Sequence, residues 1–128
     1  MNTSYNILIA EDNPIIREYI KEILDELGYH TSVVDDSKSC IEHIKKELPH
    51  ILILDIMMDG VSGIEILRKI KNGKRTNKIY VIVNSIITKD SREGRTISSL
   101  TDAYIEKPAK IEVLISAVQS AVDYIKSR

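Results

Sequence analysis

Five short segments rich in aliphatic residues, the second of them weaker, alternate along the chain with longer segments in which apolar residues recur every three or four positions. Consecutive Ile, Leu and Val residues are typical of strands covered on both faces, whereas the wider spacing is typical of amphipathic helices. The predicted strands are Asn6–Ala10, Thr31–Val34, Ile51–Leu54, Ile79–Val83 and Ala103–Ile105. This alternation predicts an α/β fold, a doubly wound parallel sheet whose strands are joined by right-handed helical crossovers.

The first predicted helix has clear signals at both ends. Asn13 can cap a helix whose first position is Pro14, and Gly28 is a suitable C-terminal cap. The expected inward stripe consists of Ile16, Tyr19, Ile20, Ile23, Leu24 and Leu27. The other predicted helices are Ser37–Leu48, Gly63–Lys71, a poorly apolar helix within Asp90–Leu100, and Lys110–Lys126. No linker or repeat divides the sequence, so we expect residues 1–128 to form one domain.

The composition favours a cytoplasmic protein. The 128 residues include a single cysteine, Cys40, which excludes an internal disulfide framework and fits a reducing compartment. The sequence shows neither a charged-then-apolar leader nor an apolar run of the roughly eighteen residues that a membrane span needs, so we expect no membrane partner. The net charge is −1 and the longest basic cluster is the short stretch Lys69–Arg75, so direct binding to nucleic acid is not expected.

Residues with reactive side chains stand at the ends of four predicted strands. They are Glu11, Asp12, Asp55, Ser85 and Lys107. Functional groups of doubly wound sheets gather beyond the carboxyl ends of the strands, so we expect these side chains to converge. Converging carboxylates repel one another unless a hard cation such as Mg²⁺ lies between them, and the main-chain carbonyl of Met57 is a further candidate ligand. The set suits magnesium-assisted phosphoryl transfer onto the carboxylate of Asp55.

Each of these residues alone also has a simpler interpretation. Acidic residues such as Glu11 and Asp12 are favourable at a helix N-terminus, Ser85 can be an ordinary loop hydroxyl, and most lysines are solvated. Lys107 precedes Pro108, however, and a cis peptide bond there would aim the lysine inward. The combination at one sheet edge therefore carries the functional hypothesis.

The motifs, taken in this order and spacing, resemble those of response-regulator receiver domains of two-component signalling. They are Glu11–Asn13 after the first strand, Asp55–Gly63 after the third, Ser85 after the fourth, and Tyr104–Pro108 around the fifth. The resemblance covers nearly the whole chain. It implies a flavodoxin-like (βα)5 sandwich with strand order 2-1-3-4-5 and a phosphorylatable signalling domain instead of an enzyme.

The resemblance also implies a role for each site residue. Asp55 would accept a phosphoryl group from a histidine kinase or phosphotransfer protein. Mg²⁺ would be bound by Asp12 and Asp55 directly, by Glu11 largely through water, and by the carbonyl of Met57. Lys107 would pair with the phosphoryl group, Ser85 would move toward it, and Tyr104 would swing inward. This change would remodel the surface of helix 4, strand 5 and helix 5, through which a downstream protein or a second copy would bind.

Two further expectations concern rates and stability. The family implies that Met57 and Ile87 border the approach of water to the phosphoacceptor, and both are apolar, as is Ile86 beside Ser85. We therefore expect a long-lived phosphorylated state. The fourth helix offers only Ile97 and Leu100 as apolar anchors, so we expect it to be the most labile helix.

Other functions remain open from the sequence. The chain could be a stand-alone receiver, or a receiver fragment of a larger regulator or hybrid histidine kinase. A Mg²⁺-dependent phosphohydrolase would also use a strand-end aspartate, but it would normally place a second aspartate where this chain has Met57. A flavin-binding protein would need hydroxyls and backbone amides in its phosphate-binding loop, in place of Glu11 and Asp12. In a purely structural interaction module, the site would never be phosphorylated.

Overall fold

The computed structural model describes residues 5–128, which form a five-stranded parallel sheet with helices on both faces. The strands are β1 (Asn6–Ala10), β2 (His30–Val34), β3 (Ile51–Leu54), β4 (Tyr80–Ser85) and β5 (Ala103–Glu106), in the order β2-β1-β3-β4-β5. The predicted fold class and strand order are both confirmed. β4 begins one residue later than predicted and extends two residues further, so Asn84 and Ser85 belong to the strand itself.

Five helices connect or follow the strands. They are α1 (Pro14–Glu26), α2 (Ser37–Lys46), α3 (Gly63–Asn72), α4 (Arg92–Ser99) and α5 (Ile111–Ser127), and a short 3-10 helix (Thr76–Lys78) precedes β4. Asn13 caps α1 as predicted, and Gly28 after it adopts a positive φ of 94°. α2 ends before the predicted Leu48 because Glu47 already has extended backbone angles. None of these helices, within residues 5–128, is long and apolar enough to span a membrane.

The core has two halves, one on each face of the sheet. α2, α3 and α4 cover one face, where Cys40, Ile66 and Ile97 pack against alternate strand residues. α1 and α5 cover the other face, where Leu24 and Val118 pack against the remaining strand residues. Burial on both faces explains why β1 and β3 contain continuous aliphatic runs in the sequence.

The predicted inward stripe of α1 is wrong at two positions. Ile20 and Leu24 are buried and define the centre of the inward face, whereas the side chains of Tyr19 and Leu27 are 51% and 39% exposed. Tyr19 lies about 120° around the helix from the midpoint of the buried pair, at 100° per residue. Leu27 is the C-cap residue, where the chain already leaves the helix.

Candidate functional site

The strand register brings the acidic residues together. Ala10 of β1 pairs with Leu54 of β3, so the next residue of each strand, Glu11 and Asp55, leaves the sheet at the same level. The amide of Asp55 still donates to the carbonyl of Ala10 at 3.0 Å. One carboxylate oxygen each from Glu11, Asp12 and Asp55 lie within 4.8 Å of one another. The predicted convergence of three carboxylates is therefore present in the structure.

The three carboxylates differ in burial and in hydrogen bonding. Glu11 and Asp55 are buried, whereas Asp12 is exposed at the rim. Asp55 accepts a hydrogen bond at Oδ1 from the amide of Met57 (3.0 Å), which fixes the start of the loop between β3 and α3. Glu11 accepts at Oε2 from the amide of Asn13 (3.2 Å), and Asn13 in turn caps α1. Local turns thus hold the two buried carboxylates in place.

Lys107 reaches this cluster from the end of β5. Its Nζ lies 2.6 Å from Oε1 of Glu11 and 3.3 Å from Oδ2 of Asp55. The amide of Lys107 donates to the carbonyl of Ser85 at 2.8 Å, which continues the β4–β5 pairing by one residue. The Lys107–Pro108 peptide bond is cis, as the sequence suggested. The sequence indicated that Lys107 lies near Asp55, but it gave no sign of the shorter contact with Glu11.

The charges of this cluster shift two pKa values. Burial raises the pKa of Glu11, and the negative charge of Asp55 adds to this effect, while the hydrogen bond from Lys107 opposes it. Burial alone would lower the pKa of Lys107, but its hydrogen bond to Glu11 and the charge of Asp55 outweigh burial and raise it. Lys107 is therefore a stable ammonium, and its single positive charge does not balance three carboxylates. The excess negative charge and the all-oxygen donor set suit a hard divalent cation.

Two polar residues, one in β4 and one in β5, are linked through the backbone of Ile87. Ser85 is fully buried, and its Oγ accepts a hydrogen bond from the amide of Ile87 at 3.3 Å. Tyr104 is half-buried, and its hydroxyl donates to the carbonyl of Ile87 at 2.5 Å. Burial, together with the nearby Glu106 and Glu93, raises the pKa of Tyr104. The sequence indicated Ser85, Tyr104 and Ile87 for separate roles, but it gave no sign that the backbone of Ile87 connects the other two.

The loop after Asp55 is fastened to the start of α2. Ser37 is buried, its hydroxyl donates to the carbonyl of Val61 at 2.6 Å, and its amide donates to the carbonyl of Asp59 at 3.1 Å. Gly60 between them has φ +104°, and a Cβ at that residue would lie 3.2 Å from the Cβ of Ser37. The sequence does not indicate this role of Ser37, because a serine at a helix start says nothing about contacts 24 residues away.

The two methionines in the loop after Asp55 differ in exposure. The side chain of Met57 is 54% exposed. Met58 is partly buried against the core. The structure shows the amide of Met57 bound to Asp55, and its carbonyl stays a predicted ligand.

Comparison with known proteins agrees with this geometry. Residues 7–119 match the family described as response regulator receiver domain. Response regulator RR06 of Streptococcus pneumoniae is 30% identical over 117 residues, which cover 91% of this chain and 52% of that protein. The phosphate regulon transcriptional regulatory protein PhoB of Escherichia coli is 26% identical over 116 residues, covering 91% of this chain and 51% of PhoB. The chain thus spans about half the length of these relatives.

A solved structure is similar along nearly its whole length. The signal receiver domain of a signal transduction histidine kinase from Syntrophus aciditrophicus superposes with a TM-score of 0.89 and 30% identity. The match covers 98% of this chain and 95% of that one. Fold, acidic cluster and sequence similarity therefore lead to one conclusion: the chain belongs to the response regulator receiver domain family, whose members are signalling domains of two-component systems and not classical enzymes.

Proposed function

We propose that Asp55 is the phosphoacceptor of this receiver domain and that a phosphohistidine of a histidine kinase or phosphotransfer protein is its donor. The observation that carries the proposal is the position of Asp55, which joins two other carboxylates within 4.8 Å and lies 3.3 Å from the ammonium of Lys107. Mg²⁺ is the proposed cofactor, with Asp12 and Asp55 as direct ligands. Glu11 acts largely through water, and the carbonyl of Met57 supplies a further oxygen.

The proposed transfer is a displacement at phosphorus. A carboxylate oxygen of Asp55 forms the new P–O bond while the N–P bond to the donor imidazole breaks, and the imidazole leaves with the electron pair and takes up a proton. Lys107 provides a positive charge next to the attacking carboxylate, where charge develops on the phosphoryl oxygens. When bound, Mg²⁺ would supply the remaining charge neutralisation.

Phosphorylation of Asp55 must also change the structure of a surface that binds other proteins. The backbone of Ile87 connects Ser85 to Tyr104, so a movement of the Ser85 hydroxyl toward a phosphoryl group releases the Ile87 amide. That change acts on the loop before α4 and on the ring of Tyr104 in β5. We propose that the surface formed by α4, β5 and α5 responds in this way and binds a downstream protein or a second copy of the chain.

The donor protein is proposed to dock over α1 beside the phosphorylation site. Ile15, two residues after the capping Asn13, is 81% exposed, and Tyr19 one turn later is 51% exposed. A largely apolar groove of about 220 Å³ lies next to them, lined by α1 residues and by Lys107–Ile111. An apolar face directly adjoining the reactive cluster fits a helical partner that must bring its phosphohistidine to Asp55.

Labelling by a small phosphodonor tests the phosphoacceptor. Incubation with acetyl phosphate and Mg²⁺ should add one phosphate to the wild-type protein and none to Asp55→Asn. Asp59→Asn is the matched control, because Asp59 is an exposed aspartate in the same loop and should not affect labelling. Undiminished labelling of Asp55→Asn would overturn the assignment.

Comparing two phosphodonors tests the docking surface. Ile15→Ser should slow phosphotransfer from a histidine kinase that labels the wild-type protein, while labelling by acetyl phosphate stays unchanged. Tyr124→Ser is the control, because Tyr124 is comparably exposed at 54% but lies on α5. Equal loss with both donors would show that Ile15 supports the site itself and not the docking of a protein.

A further inference from the structure

An apolar groove lies between α2 and α3, away from the phosphorylation site. Its walls are four isoleucines, Ile41, Ile44, Ile66 and Ile70, and its volume is about 140 Å³. Three of these isoleucines are no more than 5% exposed, so the groove is recessed below the surface. Lys45 of α2 and Lys69 of α3 also line it, and both are exposed. The groove is therefore an apolar slot with one cation on each helix beside it.

The chain segment that contributes Lys69, Ile70 and Thr76 to this groove is strongly basic. Six basic residues and no acidic ones lie between Arg68 and Lys78, and all six are exposed. None of the six takes part in an ion pair within the described part of the chain. Arg128 adds a further cation, because its guanidinium donates to the carbonyl of Lys78 at 2.7 Å. Since the whole chain has a net charge of −1, this basic surface is a local concentration of charge.

The helix dipole explains only part of this concentration. Lys69 and Lys71 stand in the last turn of α3, where cations interact favourably with the helix C-terminus. Lys74, Arg75 and Lys78 lie beyond the end of the helix, so the dipole gives no reason for them. Their charge is available to a partner.

The position of the groove separates it from the proposed signalling surfaces. Helices that connect parallel strands run antiparallel to them. α2 and α3 therefore end near the amino-terminal ends of the strands, whereas Asp55 lies at the carboxyl ends. The groove also lies on the opposite sheet face from α1. A partner bound there leaves both the reactive site and the α1 surface accessible.

We infer that the α2–α3 groove and its basic rim form a docking site for an acidic amphipathic helix of another protein. One aliphatic side chain of the helix fills the slot between the isoleucines, and its carboxylates face Lys45, Lys69 and the basic segment beyond. Nucleic acid offers no aliphatic side chain for the slot. A bilayer would require protruding apolar residues, whereas these isoleucines are recessed.

A designed helical peptide tests this inference directly. The probe is a fluorescein-labelled peptide with leucines on one face and glutamates beside them, titrated with the full chain. Its control has the same composition, with the leucines distributed around the helix. The amphipathic peptide should bind at least about tenfold more tightly than its control, and amide shifts in ¹⁵N spectra should map to α2, α3 and the segment up to Lys78.

Charge-reversal variants locate the site. Lys69→Glu and Lys45→Glu should each weaken binding by about tenfold or more, because like charges then face the peptide. Lys38→Glu is the matched control, an exposed lysine at the other end of α2, and it should bind as the wild type does. Unchanged labelling by acetyl phosphate verifies that each variant is folded.

Several results would overturn the inference. The inference fails if millimolar concentrations of the amphipathic peptide cause no amide shifts, or if the shifts map outside α2 and α3. It also fails if both peptides bind equally well, or if Lys38→Glu weakens binding as much as Lys45→Glu and Lys69→Glu do. Tighter binding to a 20-base-pair DNA duplex or to phosphatidylserine vesicles than to the amphipathic peptide would assign the basic surface to those ligands instead.

Discussion

At the scale of single residues, the surroundings of Asp55 bear on how long a phosphoryl group would remain there. An attacking water must lie in line with the P–O bond, and polar side chains near that line can hold it. Met57 is joined to Asp55 through its amide, and Ile87 is joined to Ser85 in the same way. Neither side chain can hydrogen-bond an attacking water strongly, so we expect a long-lived phosphorylated state.

We predict that polar residues at these two positions accelerate hydrolysis. Met57→Asn and Ile87→Glu should each shorten the lifetime of the phosphorylated protein, with a tenfold change corresponding to about 1.4 kcal/mol of barrier. The measurement is spontaneous loss of phosphate after removal of acetyl phosphate. Val113→Asn, at an exposed position on α5, is the control. If neither polar variant hydrolyses faster than this control, the apolar side chains do not protect the phosphoryl group.

Cys40 gives a prediction about pH. Burial, with a smaller contribution from Asp36, raises the pKa of its thiol from 9.0 to about 12. Above pH 9 the thiol ionises in the unfolded chain but not in the folded one, so the folded state binds more protons and stability falls as pH rises from 9 to 12. At pH 10, one unit above the ordinary pKa of the thiol, this loss is roughly 1 kcal/mol.

Urea unfolding at pH 8 and pH 10 measures this effect. Cys40→Ala should lose less stability between the two pH values than the wild-type protein does. Groups such as Lys107 and Tyr104, whose pKa values are also raised, titrate in both proteins and cancel in the comparison. Equal losses in the two proteins would show that Cys40 does not contribute.

At the scale of elements, α4 has the fewest buried apolar side chains of the five helices. It has only eight residues, of which only Gly94 and Ile97 are buried. Leu100, just beyond its end, is partly buried and packs against the core. Few buried contacts mean that a segment opens at low cost. We predict that hydrogen exchange will be fastest in α4 among the five helices. Protection equal to that of α1 would contradict this prediction.

Gly94 fixes the start of α4 against the preceding loop. A Cβ at this position would lie 1.9 Å from the carbonyl oxygen of Thr88 and 2.7 Å from that of Lys89. Helix propensity alone would make alanine more stabilising than glycine by about 1 kcal/mol. The steric clash with the two carbonyl oxygens outweighs this gain, so the substitution becomes destabilising. We predict that Gly94→Ala destabilises the protein by roughly 1–3 kcal/mol in urea unfolding. Ser98→Ala, exposed in the same helix, should be neutral or slightly stabilising.

The strands were more predictable from the sequence than the side-chain contacts between elements. Buried strands such as β3 were predictable to the residue, because aliphatic runs have one explanation in a sheet covered on both sides. The parallel register then placed Glu11 beside Asp55. Side-chain pairings across the fold were not predictable, since the contacts of Lys107 with Glu11 and of Ser37 with Val61 depend on tertiary distances. The exposure of Tyr19 also depends on which face of α1 meets the sheet.

At the scale of the whole molecule, folding creates the acidic cluster. Glu11 and Asp12 follow β1, whereas Asp55 follows β3, so the three carboxylates lie within 4.8 Å only when the sheet is formed. A cation that binds these three oxygens therefore binds the native state and not the unfolded chain. Ligand binding of this kind raises the free energy of unfolding, by about 2.7 kcal/mol when the free cation is at one hundred times its Kd.

We predict that Mg²⁺ raises the Tm of the protein by roughly 10 °C at such a concentration. Asp12→Asn should lose most of this increase without losing stability in the absence of Mg²⁺, because Asp12 is exposed and Lys107 pairs with Glu11 and Asp55 instead. Asp59→Asn, the control for an exposed aspartate nearby, should respond to Mg²⁺ like the wild type. Thermal unfolding in EDTA and over a series of Mg²⁺ concentrations gives all three values. A full increase in Asp12→Asn would mean that Mg²⁺ stabilises the protein without Asp12 as a ligand, and the cluster of three carboxylates would then not be the metal site proposed for this receiver domain.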